Sequence, residues 1–333
     1  MESQEIRRQV RQLFSGGPRT TRIGIEHELI IADAVTGAPV SIERVRTATD
    51  HAAYSQFLGF EPGGQVELSL PAAPDPATAV DLLSAAVAAL RSDCGGAGIC
   101  LHDAPVDSRT VDVPLQMVAP RYLAMQQRFD SLGPSGRLMM RRTASTQLCL
   151  DWWSGDVGVS QWRLLNLAAP ALAAVFARSS GPGSRLATWL AVDPTRTAFD
   201  DRLVLGPDPV AAYIDFAINA VPFTAPGDVA QHLTTLFPPV RPRSRYLEVR
   251  FLDVQPPPDV VPIATVLTTL MYDEACRSRA LAWVADDAGQ LAERWEQAAH
   301  GEPEVIAQGR ALVDLALSSV RRPVALSGPG RAA

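Results

Sequence analysis

This chain predicts an α+β fold in which helices cover one side of a sheet and leave the other side open, and three observations point there. Four separated stretches, RIGIEHEL, GQVELSL, ASTQLCLD and YLEVRFLD, alternate apolar and polar side chains with the period of a β-strand. Most of what lies between them carries apolar residues at helical spacing. The polar face of every stretch holds acids, amides or Arg.

The totals set the frame. The 333 residues, 47% of them hydrophobic, suffice for a large core. They fit one large domain or two ordinary ones; we read a single domain over 1–320 and a disordered Pro-, Gly- and Ala-rich tail over 321–333. No run of 18 uncharged apolar residues suggests a membrane span, and MESQEIRRQV is too polar for a signal peptide. The four cysteines show no metal-ligand spacing and no clear disulfide framework, so reduced thiols and a cytoplasmic location are expected. A net charge of −6 with no basic stripe argues against nucleic acid as a partner. Oligomeric state leaves no sequence signal.

Every one of the 30 basic residues is Arg. That excludes a Walker A loop and any Schiff-base or pyridoxal-phosphate chemistry, all of which need a Lys amine. Phosphate handling must then rest on Arg, backbone amides and metal ions. HExxH, GxSxG and GxGxxG are absent as well.

In chain order, residues 2–14 read as a helix with Ile6, Val10 and Leu13 on one side. The first strand spans Arg22 to Ala32. Ile23, Ile25, His27 and Leu29 share one face; Gly24, Glu26 and Glu28 share the other. Two carboxylates about 7 Å apart on a strand face raise each other's pKa unless a cation lies between them. Taken alone, the pattern fits a solvated edge strand equally well. Thr36-Gly37 is a turn, and residues 43–58 are ambiguous.

In FEPGGQVELSL, Pro62-Gly63-Gly64 is turn chemistry with Glu61 just before it. Gln65, Glu67 and Ser69 then face one way, Val66, Leu68 and Leu70 the other. Asp75-Pro76 caps a helix with a Val80, Leu83, Val87, Leu90 stripe, which Gly95-Gly96 stops. Ile99–Leu101 is a short strand, and Tyr122, Met125 and Phe129 mark a helix. The third stretch runs from Thr143 to Asp151, with Arg141 and Arg142 at its entrance. Ser145, Gln147, Cys149 and Asp151 share its polar face; Cys149 lacks a nearby His and reads as an inert thiol.

A helix follows over 160–177, bent at Pro170. Residues 193–196 read as a loop, Asp208-Pro209 as the start of another helix, and 228–236 as a short one. Tyr246 to Asp253 is the fourth stretch, placing Glu248 and Arg250 on one face. Beyond Pro256-Pro257-Pro258 the chain reads as helical to about 320, divided at Pro303.

On an open sheet these polar faces bring Glu26, Glu28, Glu67, Glu248, Gln147 and Arg250 into one concave site. Several carboxylates without a His or Cys ligand motif suit a hard, oxygen-loving cation, above all Mg²⁺ bridging to the phosphates of ATP. Arg250 beside Glu248 suits bidentate contact with a transferring phosphoryl group.

The segments GIEHE, EPGGQVELS, RTASTQLCLD and RYLEVRFLD resemble the motif set of glutamate–cysteine ligases in the glutamine-synthetase-like carboxylate–amine ligase superfamily. HLTTLFPPVRPR and DPTRT are similar to its actinobacterial ergothioneine-pathway branch. The resemblance covers about residues 20–285. It implies a mainly antiparallel, funnel-shaped sheet backed by helices, like the catalytic domain of glutamine synthetase. It also implies ATP-dependent synthesis of γ-glutamylcysteine from L-glutamate and L-cysteine, with two or more Mg²⁺. By position, Glu26, Glu28, Glu61, Glu67 and Glu248 would be metal ligands. Arg250 would contact phosphate, with Gln147 beside the nucleotide, and Gln65 with Arg141 or Arg142 would hold substrate. The stretches around 30–60 and 180–230 are shorter than the ergothioneine-pathway pattern, which bears on the choice of amine. The rival readings are a sister ligase acting on a different amine, a non-catalytic nucleotide-binding paralogue and a Mg²⁺-dependent hydrolase.

Overall fold

The computed structural model describes residues 2–223 and 228–320, so the tail expected over 321–333 lies outside the described residues. Helix α1 (Glu2–Leu13) leads into β1 (Ile23–Asp33), α2 (Ile42–Thr49), β2 (Leu58–Phe60), β3 (Val66–Ser69), α3 (Pro76–Gly96) and β4 (Ile99–His102). Next come α4 (Pro120–Asp130), α5 (Ser135–Arg142), β5 (Thr146–Asp151), α6 (Gly155–Val175), α7 (Arg185–Leu190), α8 (Pro194–Thr197), α9 (Pro209–Asn219) and α10 (Val229–Thr234). The order closes with β6 (Val240–Arg243), β7 (Tyr246–Val249), α11 (Pro257–Tyr272), α12 (Glu274–Val284), α13 (Leu291–His300) and α14 (Pro303–Val320).

The strands form one sheet in the order β2-β3-β1-β5-β7-β6, with β4 beside the far end of β1, and every pairing between them is antiparallel. The predicted α+β class and the open, helix-backed antiparallel sheet are therefore what the chain adopts. One face of the sheet is apolar and sealed: Ile23, Ile25, Leu29, Val66, Leu68, Leu148, Leu150, Leu247 and Val249 are at most 1% exposed. His27 lies on this face, fully buried, its Nδ1 3.1 Å from Thr146 Oγ1. Val80, Leu83, Val87 and Leu90 of α3 join the same core, and α3, α11, α14 and α6 pack successively against one another behind the sheet. Asp75, Asp208 and Asp273 cap their helices by accepting backbone N–H bonds, each contributing about 1 kcal/mol.

The structure corrects several local expectations. Residues 42–60 hold α2, a 3₁₀ turn and β2, an order their mixed spacing hides. The 193–196 segment is not a loop. Asp193 accepts from Thr195 N and starts the single turn of α8. The third stretch enters the sheet only at Thr146, because α5 continues to Arg142. α6 begins at Gly155 rather than 160. VRPR, read as part of no element, is the edge strand β6, where Pro242 costs no interior ladder bond.

Candidate active site

The open face of the sheet forms the floor of a cavity of about 350 Å³. Antiparallel register sets its residues in rows across the strands. Glu28 sits opposite Glu67, Glu26 opposite both Ser69 and Gln147, and Glu248 opposite both Cys149 and Arg241. Residues distant in sequence thus meet because alternate positions on each strand share a face. Helices α4, α5 and α7 supply the walls with Arg121, Tyr122, Met125, Met139, Met140, Arg185 and Trp189.

Three carboxylates dominate one end. Glu28, Glu61 and Glu67 each offer an oxygen, and these atoms lie within 4.8 Å of one another. Glu28 is held firmly, accepting from Ser145 N at 2.8 Å, Ser145 Oγ at 2.9 Å and Gln147 Nε2 at 2.9 Å. Ser69 Oγ donates to Glu67 Oε1 at 2.8 Å. Burial, then the charges of Glu28 and Glu67, push Glu61 well above the usual carboxylate range. Burial and Glu28 raise Glu67 as well. Glu26, one row over, is pushed up to about 7 by burial and by Glu248 and Glu67. Acids so placed are poised for a cation that would relieve both penalties.

The other end has the opposite balance. Glu248 is fully buried, and its carboxylate accepts from Arg241 Nη2 at 2.6 Å, Arg241 Nε at 3.0 Å and Arg243 Nε at 3.0 Å, with Arg250 Nη1 in direct contact. Burial alone would raise Glu248, but the guanidinium groups of Arg250, Arg241 and Arg243 outweigh it and hold the group well below the usual range. Gln147 joins the two ends: its Nε2 donates to Glu28, and its Oε1 accepts from Arg250 Nη1 at 3.0 Å.

Of the residues singled out in the sequence, Glu26, Glu28, Glu61, Gln65, Glu67, Gln147 and Arg250 line this cavity. Glu248 lies beneath it, tied to arginines and outside the acidic trio. Gln65 spends its amide on structure. Its Nε2 donates to Thr143 O at 2.9 Å and its Oε1 accepts from Gly63 N at 3.1 Å. This tie seats the Glu61–Gln65 turn against the end of α5 so closely that a Cβ on Gly63 would lie 2.5 Å from Arg141 Cα.

Arg141 and Arg142 do not line the cavity, which corrects their expected substrate role. Arg141 donates to Val113 O at 3.1 Å and to Gln126, and Arg142 to Val111 O at 2.9 Å and Asp107 O at 3.1 Å. The last turn of α5 aims both behind the wall, where they anchor the 107–113 loop. The cavity's other cations, Arg121, Arg185, Arg241 and Arg243, went unread in the sequence. Arg241 and Arg243 were detectable in principle, since VRPR alternates at strand period.

Comparison with known proteins shows the family of the chain. A glutamate–cysteine ligase EgtA of Mycolicibacterium smegmatis is 31% identical over 308 residues, covering 80% of this chain and 71% of that protein. A Mycobacterium tuberculosis glutamate–cysteine ligase EgtA is 30% identical over 284 residues, covering 73% of this chain and 64% of its own length. The chain thus spans between 64 and 71% of these relatives. Among solved structures, the glutamate–cysteine ligase of Francisella tularensis in complex with AMP superposes with a TM-score of 0.51 at 13% identity, covering 93% of this chain and 84% of that one, a likeness of fold. The sequence profile of glutamate–cysteine ligase family 2 matches residues 22–304, and the chain belongs to that enzyme family.

Proposed function

We propose that this chain is an ATP- and Mg²⁺-dependent ligase that joins the γ-carboxyl of L-glutamate to the amine of L-cysteine. The product would be γ-glutamylcysteine, for ergothioneine or a related small thiol, with ADP and phosphate released. The observation that carries the proposal is the convergence of Glu28, Glu61 and Glu67 in one cavity, opposite three arginines gathered on the buried Glu248.

The donor set fits Mg²⁺. It is all oxygen and highly charged, and above the raised pKa values of its members a cation relieves their repulsion. Glu28, Glu61 and Glu67 would hold one ion, and Glu26 and Gln147 adjoin it. Bound Mg²⁺ would supply neutralisation of the β- and γ-phosphate charge of ATP.

The chain's own residues do the rest by positioning. Arg241 and Arg243 keep Glu248 ionised. Glu248 and Gln147 in turn fix the head of Arg250, so that its guanidinium is oriented before substrate arrives. Such a fixed cation suits the charge on a phosphoryl group passing from ATP to the γ-carboxylate. Arg185 is buried, lowered by that burial, and its guanidinium donates to the carbonyls of Arg250 (3.0 Å) and Phe251 (3.4 Å) while lying over the Trp189 ring. It is the cation available to the α-carboxylate of glutamate. The amine then attacks the γ-glutamyl phosphate: the C–N bond forms, the C–O bond to phosphate breaks, phosphate leaves with that electron pair, and the nitrogen loses a proton.

Incubation of the purified protein with L-glutamate, L-cysteine, ATP and Mg²⁺ tests this directly. γ-Glutamylcysteine detected by mass spectrometry, in step with ADP release, is the expected result. ADP release that needs no amine, or none with any amine, would sink the ligase reading.

A further inference from the structure

We infer that the wall formed by α4 and α5 is the seat of the accepting amino acid, with Arg121 on its carboxylate and Met125, Met139 and Met140 around its side chain. The inference rests on the ligase reading and deepens it by assigning the acceptor site.

Charge balance within the cavity comes first. Five arginines line it. Arg241, Arg243 and Arg250 are gathered on Glu248, at the end of the cavity assigned above to the phosphoryl group. Only Arg121 and Arg185 have no carboxylate partner among the described residues; Arg121 merely lies over the ring of Tyr122, 4.4 Å from its centroid, and donates to its hydroxyl. Joining two amino acids brings two α-carboxylates into one cavity. With Arg185 beside Arg250 taking the donor's, Arg121 is the cation left for the acceptor's.

Position supports the same assignment. Arg121 and Met125 are four residues apart on α4 and so share a face of that helix, which packs on α5. Met140 and Thr143, at the end of α5, are held by Gln65 against the turn that carries Glu61. The methionine wall therefore adjoins the acidic trio, where the acyl phosphate would form. An attacking amine must reach that carbon, whereas the adenine of ATP stands a whole triphosphate and ribose away from it.

The lining chemistry then selects the side chain. Three thioethers with Phe237 make a soft, uncharged surface that favours a thiol or short alkyl group by dispersion. It rejects a charged side chain, which would lose its hydration with nothing in return.

The test compares the full-length wild type with Arg121→Gln and Arg121→Lys. For Arg121→Gln the KM for L-cysteine rises at least tenfold while those for L-glutamate and ATP shift no more than about twofold; Arg121→Lys recovers part of the loss. The wild type prefers L-cysteine to cysteamine, which lacks the carboxylate, and Arg121→Gln loses most of that preference. A loss confined to ATP would assign the wall to adenine and overturn the inference. Calorimetric titration of L-cysteine into each protein, with L-glutamate, Mg²⁺ and a non-hydrolysable ATP analogue present, supplies an arm independent of turnover. A wild type that binds cysteine at least tenfold tighter than Arg121→Gln supports the site, and equal or absent binding refutes it. A wild type that ligates no amine refutes the ligase reading instead.

Discussion

Two glutamates on the same open sheet face, Glu67 and Glu248, end up in opposite electrostatic states. Glu67 stands among acids and is raised by burial and by Glu28. Glu248 is more deeply placed still, yet Arg250, Arg241 and Arg243 overcome its burial and hold it well down. Residue type and strand position are alike; the cross-strand neighbour differs, Glu28 for the one and Arg241 for the other. One end of the cavity is thus short of positive charge while the other holds a surplus of it, three guanidinium groups about one carboxylate. The first is suited to recruit a cation, the second to hold a protein cation still.

The comparison breaks most visibly under a substitution that removes one charge from each end. Glu67→Gln takes a ligand from the trio and is expected to lower turnover by about 10²–10³-fold, as loss of one group stabilising transferred charge usually does. Its melting temperature should hold or rise, because a buried repulsion is relieved. Coupled ADP release and thermal unfolding on the same preparation check both halves; wild-type turnover in this variant would dismiss the trio as a metal site.

Glu248→Gln is predicted to do the reverse to stability. It strands three guanidinium groups around a buried amide and should cost about 3–5 kcal/mol in urea unfolding. Equal stability of the two variants would show that the ends do not differ as described.

A pH series sharpens the contrast without mutation. Glu26, raised to about 7, binds its proton more tightly in the folded protein than in the unfolded chain, as do Glu61 and Glu67. Between about pH 4.5 and 7 the folded state therefore carries more protons, and its stability falls as pH rises through that window. For Glu26 alone the loss approaches about 3 kcal/mol. Glu248 has the opposite sign: its stabilisation is present above the ordinary carboxylate pKa and is lost as pH falls below it. The metal-free protein should thus be most stable in mildly acid solution, and millimolar Mg²⁺ should recover stability at pH 8 by binding only the folded state. Denaturant midpoints across pH, with and without Mg²⁺, test this. A midpoint that rises steadily to pH 8 without metal would contradict it.

The acids of this site were legible in sequence because strand alternation is a strong local signal and repeats in four places. Glu26, Glu28, Glu67, Gln147 and Arg250 all reach the cavity their spacing implied. What alternation cannot express is which charge faces which. Whether an Arg meets an acid depends on register between strands, and Arg241 meets Glu248 only through the β6–β7 hairpin. The Pro in VRPR further disguised that strand. Arg141 and Arg142, assigned to substrate by the resemblance, stand at the entrance of a site strand, but the geometry of a helix end directs them away from the cavity. Arg121 and Arg185 sit on helical walls whose approach to the sheet no local pattern records.

Cys149 offers the smallest effect and a clean check on the charge distribution between the two ends. It lies beside Glu26, Sγ to Oε1 3.8 Å, and opposite Glu248 across β5 and β7. Burial, then the charges of Glu26 and Glu248, push its thiol well above the ordinary range, outweighing Arg241 and Arg243. A thiol so raised is almost wholly protonated at pH 8 and reacts slowly, since the thiolate is the nucleophile. Brief treatment with iodoacetamide at pH 8 should therefore leave Cys149 unalkylated in peptide maps. Rapid labelling there would mean that the arginines, and not the acids, set the potential at this point of the sheet. It would also mean that the positive region reaches at least one strand further than the geometry of Glu248 implies.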